Sequence, residues 1–116
     1  MPVRHPLRLS AIETAIIDPE APQARECLMA YVDELAVRFP EGYAAGDLIT
    51  AADAREPAGV SLVAMESADP VGCGVLLTPS VGYAEIRHLW VHSGARGIGL
   101  GRRLLVELEH QAVSGA

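Results

Sequence analysis

One short segment, RHLWVHSGARGIGLGRRLL at residues 87–105, constrains the fold more than any other part of the chain. An apolar run that predicts a strand stops at a small-residue turn, and a leucine-rich run that predicts a helix follows. Between them stand Gly97, Gly99 and Gly101. The first N–H groups of a helix lack partners inside the helix, and the helix dipole places partial positive charge there. Because glycine lets such a backbone approach a bulky anion, the segment predicts a site for phosphate or pyrophosphate.

The charge distribution supports an anion site at this segment. The chain has a net charge of −6, all nine of its basic residues are arginines, and it contains no lysine. Residues 86–106 nevertheless contain four arginines and no Asp or Glu; these are Arg87, Arg96, Arg102 and Arg103. The acidic balance of the whole chain argues against a nucleic-acid partner, whereas its locally positive segment contains the glycines.

Two established phosphate-binding motifs do not fit these residues. The dinucleotide motif G-x-G-x-x-G, counted from Gly97, requires a glycine where Arg102 stands. That motif also belongs to a parallel βαβ unit and not to the end of a meander. A P-loop requires Gly-Lys-Ser/Thr, and the chain has no lysine. The remaining alternative is a glycine-rich connection in which Gly101 serves helix packing and no ligand binds.

The rest of the chain predicts a single mixed α/β domain over residues 1–116. The predicted elements, in chain order, are a strand at 5–16, a helix at 22–39, a loop at 41–57, strands at 59–67, 70–78 and 83–92, and a helix at about 99–113. Strand alternation, helical periodicity and turn residues carry these predictions. The order describes an antiparallel meander with flanking helices, in mixed α+β layers.

The residues expected on the buried faces of the two helices recur at helical spacing. In the first helix they are Ala24, Leu28, Tyr31, Leu35 and Phe39. In the last helix they are Gly101, Leu104, Leu105, Leu108 and Ala112. Arg103 and Glu107 stand four residues apart and are expected to pair on the outer side of the last helix. The acidic residues of the first helix are expected on a solvated face; these are Glu26, Asp33 and Glu34.

Cysteine and histidine positions bear on the cellular compartment and on metal binding. Cys27 and Cys73 stand in apolar contexts at unrelated positions, which suits buried free thiols in a reducing cytoplasm. No apolar stretch reaches the length of a membrane span and no signal pattern occurs at the N-terminus, so no membrane partner is expected. His88 and His92 look like a ligand pair, but four residues of strand span roughly 13 Å, so no metal is expected there.

The glycine segment in its wider context, AEIRHLWVHSGARGIGLGRRLLVELE, is similar to the signature of the GNAT superfamily of acyl-CoA-dependent N-acetyltransferases. The family pattern is Arg/Gln-x-x-Gly-x-Gly/Ala, and it follows a strand that ends hydrophobic-aromatic-Val. The residues that fill this pattern are Arg96, Gly99 and Gly101, preceded by Leu89, Trp90 and Val91. The segment DPVGCGVLL also resembles the preceding strand of the family, so the resemblance covers about residues 58–113.

The resemblance implies acetyl transfer from acetyl-CoA to a primary amine of a small molecule or peptide, without a metal. It implies that backbone amides of the glycine segment hold the pyrophosphate of coenzyme A; these residues are Arg96, Gly97, Ile98, Gly99, Leu100, Gly101 and Arg102. Leu89 and Val91 would lend backbone groups to the pantetheine arm, as a further strand does. A backbone N–H of the same strand would polarise the thioester carbonyl. Trp90 is expected first as a core aromatic and second as a cofactor-lining residue.

Glu85 matches the position at which many members of this family place a general base. That role requires a carboxylate close to the incoming amine, directly or through one water molecule. The alternative is a strand carboxylate that pairs with an arginine or is simply solvated. Both interpretations remain open on the sequence alone.

The chain departs from the family pattern after its last helix, where the sequence ends in HQAVSGA. In the family a further strand, a helix that often carries a proton-donating tyrosine, and more strands follow. The resemblance therefore predicts a GNAT-like fold truncated after the pyrophosphate helix, without a candidate general acid. The strand at 83–92 would then expose an unpaired edge, and either a homodimer or a longer enzyme is expected to cover it. The alternative function is a catalytically silent coenzyme A-binding or dimerisation module.

Overall fold

The computed structural model of the protein describes residues 8–38, 51–80 and 83–114. Its strands and longer helices, in chain order, are β1 (Glu13–Ile16), α1 (Pro22–Arg38), β2 (Gly59–Glu66), β3 (Asp69–Ser80), β4 (Tyr83–Val91) and α2 (Leu100–Ser114). Short 3-10 turns precede β1 at Leu9–Ala11 and follow β4 at Ser93–Ala95. The strands form an antiparallel sheet in the order β1-β2-β3-β4. The mixed α/β class and the antiparallel meander with flanking helices are confirmed.

The two helices cover opposite faces of the sheet, each over its own hydrophobic cluster. α2 buries Leu100, Leu104 and Leu108 against one face. α1 buries Ala24 and Cys27 against the other face. Residues of β2 join the two clusters alternately, because side chains of a strand point to opposite faces of the sheet in turn. The result is a layer of sheet between two layers of helix.

A bulge in β4 resets the alternation of its side chains. Gly74 of β3 lies opposite two residues of β4, His88 and Leu89. His88 adopts a left-handed backbone conformation, with φ of 55°. Ile86 and Val91 are five residues apart, yet both pack on the α2 cluster. Regular alternation would place them on opposite faces, so the extra residue of the bulge is what brings both to the same core.

The N-terminal strand is shorter than the sequence pattern predicts. Residues 9–11 form a 3-10 turn and β1 begins at Glu13, while residues 5–7 of the predicted strand lie outside the described residues. The physical reason lies in α2. The Nη1 of Arg103 donates to the carbonyl oxygens of Leu9 and Ile12, at 3.1 and 2.8 Å. These carbonyls therefore bond a helix side chain and not a neighbouring strand.

The buried face of α2 differs by one position from the predicted one. The helix begins at Leu100, and this residue is buried together with Leu104 and Leu108. Leu105, predicted to be buried, is 38% exposed. Residues spaced by four lie on the same face of a helix. Leu105 follows Leu104 by one residue, which turns its side chain about 100° away from that face. Gly101 and Ala112, the other predicted members, are half-buried.

The predicted pair of Arg103 and Glu107 forms, with 3.6 Å between Nε and Oε1. Its predicted place on the outer side of α2 is wrong. Thr14 Oγ1 donates to Glu107 Oε1 at 2.9 Å, and Arg103 bonds the turn before β1. The pair thus joins α2 to the first strand of the sheet.

The buried face of α1 is narrower than predicted. Ala24 is buried, and Cys27 adds to it. The half-buried residues of the predicted stripe are Leu28, Tyr31 and Leu35. Phe39, and residues 41–50 of the predicted loop, lie outside the described residues.

Both cysteines are buried free thiols, as predicted. The pKa of Cys73 is raised, first by its hydrogen bond with Cys27 and then by burial. A thiol in such surroundings is a packing residue and not a nucleophile. Among the described helices, none combines the length and the apolar character needed to cross a bilayer.

Candidate functional site

The glycine segment joins β4 to α2 in a backbone conformation that glycine favours. Gly97 and Gly99 have φ of +84° and +90°, in the left-handed region. A Cβ at Gly97 would meet no atom within 4 Å, and one at Gly99 would meet only Leu9 Cδ2, at 3.9 Å. Backbone conformation and not crowding accounts for these two glycines, and the space beside them is open. At Gly101 a Cβ would lie 3.6 Å from Val91 Cγ2, an ordinary contact.

The N-terminus of α2 presents its first amides at this open space. The Arg103 amide donates to the Gly99 carbonyl at 3.0 Å, so the amides of Leu100, Gly101 and Arg102 precede the first helical bond. Such amides have no acceptor within the helix, and they carry the positive end of its dipole. The first turn of α2 contains no acidic residue. This is the arrangement in which helix N-termini bind phosphate groups.

The side chain of Arg96 crosses the end of β4 and binds α1. Its Nε donates to the Val91 carbonyl at 3.0 Å, and its Nη2 donates to the two carboxylate oxygens of Glu34 at 2.6 and 2.7 Å. The side chain is 45% exposed. Arg96 therefore stands at the rim of the glycine segment with its guanidinium already engaged. Ile98 packs inward on the α2 cluster, and Arg102 is exposed on the first turn of α2.

Glu34 is the site residue that the sequence analysis missed. Its carboxylate also accepts from Trp90 Nε1 at 2.6 Å and from Arg38 Nη2 at 3.0 Å. The hydrogen bond from Trp90, and then the one from Arg96, hold the pKa of Glu34 below its usual value. In the sequence Glu34 is one of several acidic residues off the apolar stripe of α1, a pattern typical of a solvated face. No local signal separates it from the others.

A cavity of about 310 Å³ lies between the end of α1 and the C-terminal half of β4. Its lining residues are Tyr31, Glu34, Leu35, Arg38, Leu89, Trp90, Val91 and Arg96. Two guanidinium groups and one carboxylate give this lining a net positive charge, and the other walls are aromatic or aliphatic. Such a lining suits a ligand that has both an anionic and an apolar part.

β4 is the last strand of the described sheet, so one of its edges carries no further strand. The His92 amide donates to the Val71 carbonyl of β3 at 2.8 Å. Because backbone groups alternate in direction along a strand, those of Leu89 and Val91 point to the open edge. The bond from Arg96 to the Val91 carbonyl agrees with this direction. The structure thus places both predicted pantetheine-binding residues with their backbone groups outward.

Glu85 lies at the other end of β4, opposite Leu77 of β3. It precedes Val91 by six residues, which is about 20 Å of extended strand. Its Oε1 lies 3.3 Å from Arg87 Nη1, and its side chain is 38% exposed. The arginine partner considered in the sequence analysis is therefore present. The structure brings the β4 and glycine-segment residues together and sets Glu85 apart from them.

The histidines of β4 and of the following turn have separate environments. His92 Nδ1 accepts from the Gly94 amide at 2.9 Å and caps the turn before α2. The His88 ring lies 5.1 Å from the Tyr31 ring, measured between centroids. Within the described ranges, no three His, Cys, Asp or Glu side chains are grouped as metal ligands.

Comparisons with known proteins show the family and the fold of this chain. Residues 25–115 match the model of a family described as the acetyltransferase (GNAT) family. A curated relative from Azospirillum brasilense, an IAA acetyltransferase, is 42% identical over 52 residues, which are 44% of this chain and 34% of that protein. The chain therefore spans about a third of the length of this relative.

Solved structures share the fold at low identity. An aminoglycoside 6'-N-acetyltransferase complexed with coenzyme A gives a TM-score of 0.65 at 24% identity, over 89% of this chain and 56% of that one. An acetyltransferase of GNAT family from Staphylococcus aureus MU50 gives a TM-score of 0.68 at 16% identity, over 90% of this chain and 67% of that one. This chain thus corresponds to little more than half of the first structure and to two thirds of the second.

Proposed function

Because this chain belongs to the acetyltransferase (GNAT) family, we propose that it transfers an acetyl group from acetyl-CoA to a primary amine. The observation that carries the proposal is the junction of β4 and α2. There the left-handed Gly97 and Gly99 leave open space in front of the amides that begin a helix. The choice of donor is supported by a structural neighbour, the aminoglycoside 6'-N-acetyltransferase complexed with coenzyme A.

In this proposal the pyrophosphate of acetyl-CoA lies at the N-terminus of α2. The amides of residues 97–102 donate to its oxygens, and the helix dipole favours its charge. The Arg96 amide is engaged with the Ser93 carbonyl at 3.4 Å. Arg96 adds a charge-assisted contact at the rim. The Nη2 of Arg96 donates to Glu34 Oε1 at 2.6 Å. To make the phosphate contact, it replaces this carboxylate oxygen with a phosphate oxygen. The exposed Arg102 adds positive charge to the same turn.

The pantetheine arm pairs with the open edge of β4. The outward backbone groups of Leu89 and Val91 bond the amides of the arm as a neighbouring strand would. The cavity of about 310 Å³, whose wall includes Trp90, holds part of the arm. An arm that starts at the glycine segment and runs back along β4 brings the thioester toward the bulge at His88.

The acceptor amine arrives in water as an ammonium ion, which must lose a proton before its nitrogen can attack. In this proposal the proton passes through water to Glu85, which stands three residues before the bulge with its side chain 38% exposed and in reach of solvent. The nitrogen then attacks the thioester carbon. The carbon–sulfur bond breaks, and coenzyme A leaves as the acetylated amine forms.

A second copy of the chain covers the remaining edge of β4 in this proposal. Tyr83 is 54% exposed on this strand, and the charges of Glu85 and Arg87 offset each other at 3.3 Å. An edge strand without net charge is a template for another strand. The half of β4 before the bulge pairs with the second copy, and the half after the bulge pairs with pantetheine.

A silent coenzyme A-binding module is the second candidate. It is favoured by the position of Glu85, which lies opposite Leu77 and apart from the glycine segment, and by its ion pair with Arg87 at 3.3 Å. Both candidates suit the cytoplasm, because the buried free thiols of Cys27 and Cys73 persist in a reducing compartment.

Calorimetric titration with acetyl-CoA tests the site. Gly99→Glu puts bulk and negative charge in front of the α2 amides. We expect it to weaken acetyl-CoA binding by about tenfold or more, which is roughly the contribution of one charge-assisted hydrogen bond. Gly99→Gln is the matched control, since it adds the same bulk and backbone strain without the charge. It should retain more affinity than Gly99→Glu. Equal binding by the wild-type protein and Gly99→Glu would contradict the pyrophosphate site.

Release of free thiol across a panel of primary amines tests the reaction. We expect acetyl-CoA turnover with at least one amine. Acetyl-CoA binding without thiol release from any amine of the panel would favour the silent module over the transferase.

A further inference from the structure

His88 has a strained backbone at a site that the proposed reaction reaches. Its φ of 55° places it in the left-handed region, and Ser67 in an exposed turn is the other non-glycine residue with positive φ within the described ranges. Unlike Ser67, His88 is only 7% exposed. Backbone strain of this kind persists where the surrounding structure enforces it, and such positions cluster at functional sites. Bulges next to active sites re-aim a side chain in the same way.

The bulge directs the His88 imidazole to the α1 face of the sheet. A cavity of about 90 Å³ lies there, and His88 is part of its wall. Its walls include Ala24 and Leu28 of α1 and Val75 of β3, and the described lining contains no Asp, Glu or Arg. The imidazole is therefore the group of this lining that can exchange a proton near neutral pH.

The groups that face the imidazole come from three elements besides its own strand. α1 contributes Tyr31, whose ring centroid lies 5.1 Å from that of His88. β3 contributes Cys73 and β2 contributes Ser61 to the wall of the same cavity, and the Cys73 thiol donates to the backbone carbonyl of His88 at 3.8 Å. Arg87 precedes His88 on β4. Burial first, and then the charge of Arg87, lower the pKa of His88, which favours the neutral form of the imidazole.

The position of His88 along β4 places it beside the reacting atoms of the proposed reaction. His88 precedes Val91 by three residues, about 10 Å of strand. An arm that enters at the glycine segment and pairs with Leu89 and Val91 ends at the bulge. In this arrangement the thioester lies at the open edge of β4, next to the backbone of His88 in the bulge.

We propose that His88 is a catalytic residue that carries a proton from the attacking nitrogen to the leaving sulfur of coenzyme A. This inference rests on the proposed acetyl transfer, and it adds a proton donor for the leaving thiolate to the base Glu85. The first proton of the ammonium ion goes through water to Glu85. The nitrogen lone pair forms the carbon–nitrogen bond, and the second proton passes to the imidazole. The carbon–sulfur bond breaks toward sulfur, and the imidazolium returns that proton to the thiolate.

The test compares His88→Asn with His110→Asn. Asparagine tolerates the left-handed conformation as histidine does, so His88→Asn removes the imidazole without adding backbone strain. His110 is exposed on α2 and provides the same chemical change away from the site. The measurements are kcat with the best amine of the panel, its dependence on pH, and the Kd for acetyl-CoA.

We expect kcat of His88→Asn to fall on the order of 100-fold, as for loss of a general acid–base group. The Kd for acetyl-CoA should stay within about twofold of the wild-type value. The imidazole acts in the chemical step, so its removal does not weaken binding of acetyl-CoA in the ground state. In the wild-type protein kcat should fall as the pH drops below the usual histidine pKa of 6.5, because the protonated imidazole cannot accept a proton. His88→Asn should lose this acid limb, and His110→Asn should keep both the rate and the limb.

Retention of the wild-type kcat by folded His88→Asn would overturn the assignment while leaving the transferase proposal intact. Absence of turnover by the wild-type protein would contradict the transferase proposal and this inference with it. If His88→Asn does not fold, nitrogen-15 NMR of the wild-type imidazoles decides. The pKa of His88 must then coincide with the acid limb of kcat, and a mismatch would overturn the assignment.

Discussion

Glycine is required for two different reasons, each at particular positions of this chain. Gly97 and Gly99 are needed for their backbone angles, with φ of +84° and +90°, and have open space around them. Gly59 is needed for its lack of a side chain. A Cβ there would overlap the carbonyl oxygen of Asp53 and would lie 2.5 Å from that of Leu76. The segment before β2 can close on the sheet only because nothing projects from Gly59.

Gly59→Ala should therefore lower the free energy of unfolding by about 3 kcal/mol, at the upper end of the range for overpacking, because backbone atoms cannot move aside as a side chain can. Gly101→Ala is the control, since its Cβ would make an ordinary contact at 3.6 Å. It should raise the free energy of unfolding by roughly 0.5 kcal/mol, as for glycine in a helix. Urea unfolding measures both. A midpoint for Gly59→Ala equal to that of the wild-type protein would refute the close approach.

Glu34 joins three elements that are distant in the sequence. Its bonds connect α1 with Trp90 of β4, 56 residues away, and with Arg96 of the glycine segment, 62 residues away. The pKa of Glu34 is lowered in the folded protein, first by the hydrogen bond from Trp90 and then by that from Arg96. A carboxyl group with a depressed pKa stabilises the fold fully above its unfolded-state value. That stabilisation is lost as the pH falls through the folded-state pKa.

Glu34→Gln should lower the free energy of unfolding at pH 7 by about 1 kcal/mol, as for a partly exposed ion pair. The difference between variant and wild type should shrink as the pH falls below 4.5, the ordinary value for this group, because protonation removes the charge in the wild-type protein as well. Thermal unfolding across pH 3 to 7, within the range where carboxyl groups titrate, measures this. Glu109→Gln, an exposed change on α2, serves as control. A difference that does not vary with pH would show that the charge of Glu34 is not what joins these elements.

At the scale of the whole molecule, β4 forms one of the two edges of the described sheet. β4 is the last of the described strands, and the exposed fractions of its side chains include 54% for Tyr83 and 38% for Leu89. The pair of Glu85 and Arg87 leaves this strand without net charge. In the proposed function, this edge pairs with a second copy of the chain.

Tyr83→Lys should weaken the proposed self-association on the order of tenfold, because charge on an edge strand disfavours pairing. Val37→Lys is the matched control, since Val37 is 82% exposed on α1 and away from this edge. Sedimentation equilibrium over a wide range of protein concentration measures the association. A wild-type protein that remains monomeric at the highest concentration would remove the homodimer from the proposed function.

The sequence by itself determined the elements whose signals are local. Helical periodicity located α1 and α2, and alternation with turn residues located β2, β3 and β4 to within a few residues. The glycine segment was recognisable because left-handed angles at Gly97 and Gly99 require glycine, and a helix start requires no distant partner. The backbone part of the candidate site, from Leu89 to Arg102, was predictable for the same reason.

Only the tertiary structure decided the side-chain part of that site. Glu34 reaches Trp90 and Arg96 across 56 and 62 residues, and nothing in the neighbourhood of Glu34 records those bonds. The bulge at His88 allows Ile86 and Val91 both to pack on the α2 core, and this packing involves a different layer of the fold. Local sequence specifies which backbone conformations are accessible. Contacts between layers determine which side chains meet, because the interaction energy of those contacts is gained only when the layers pack.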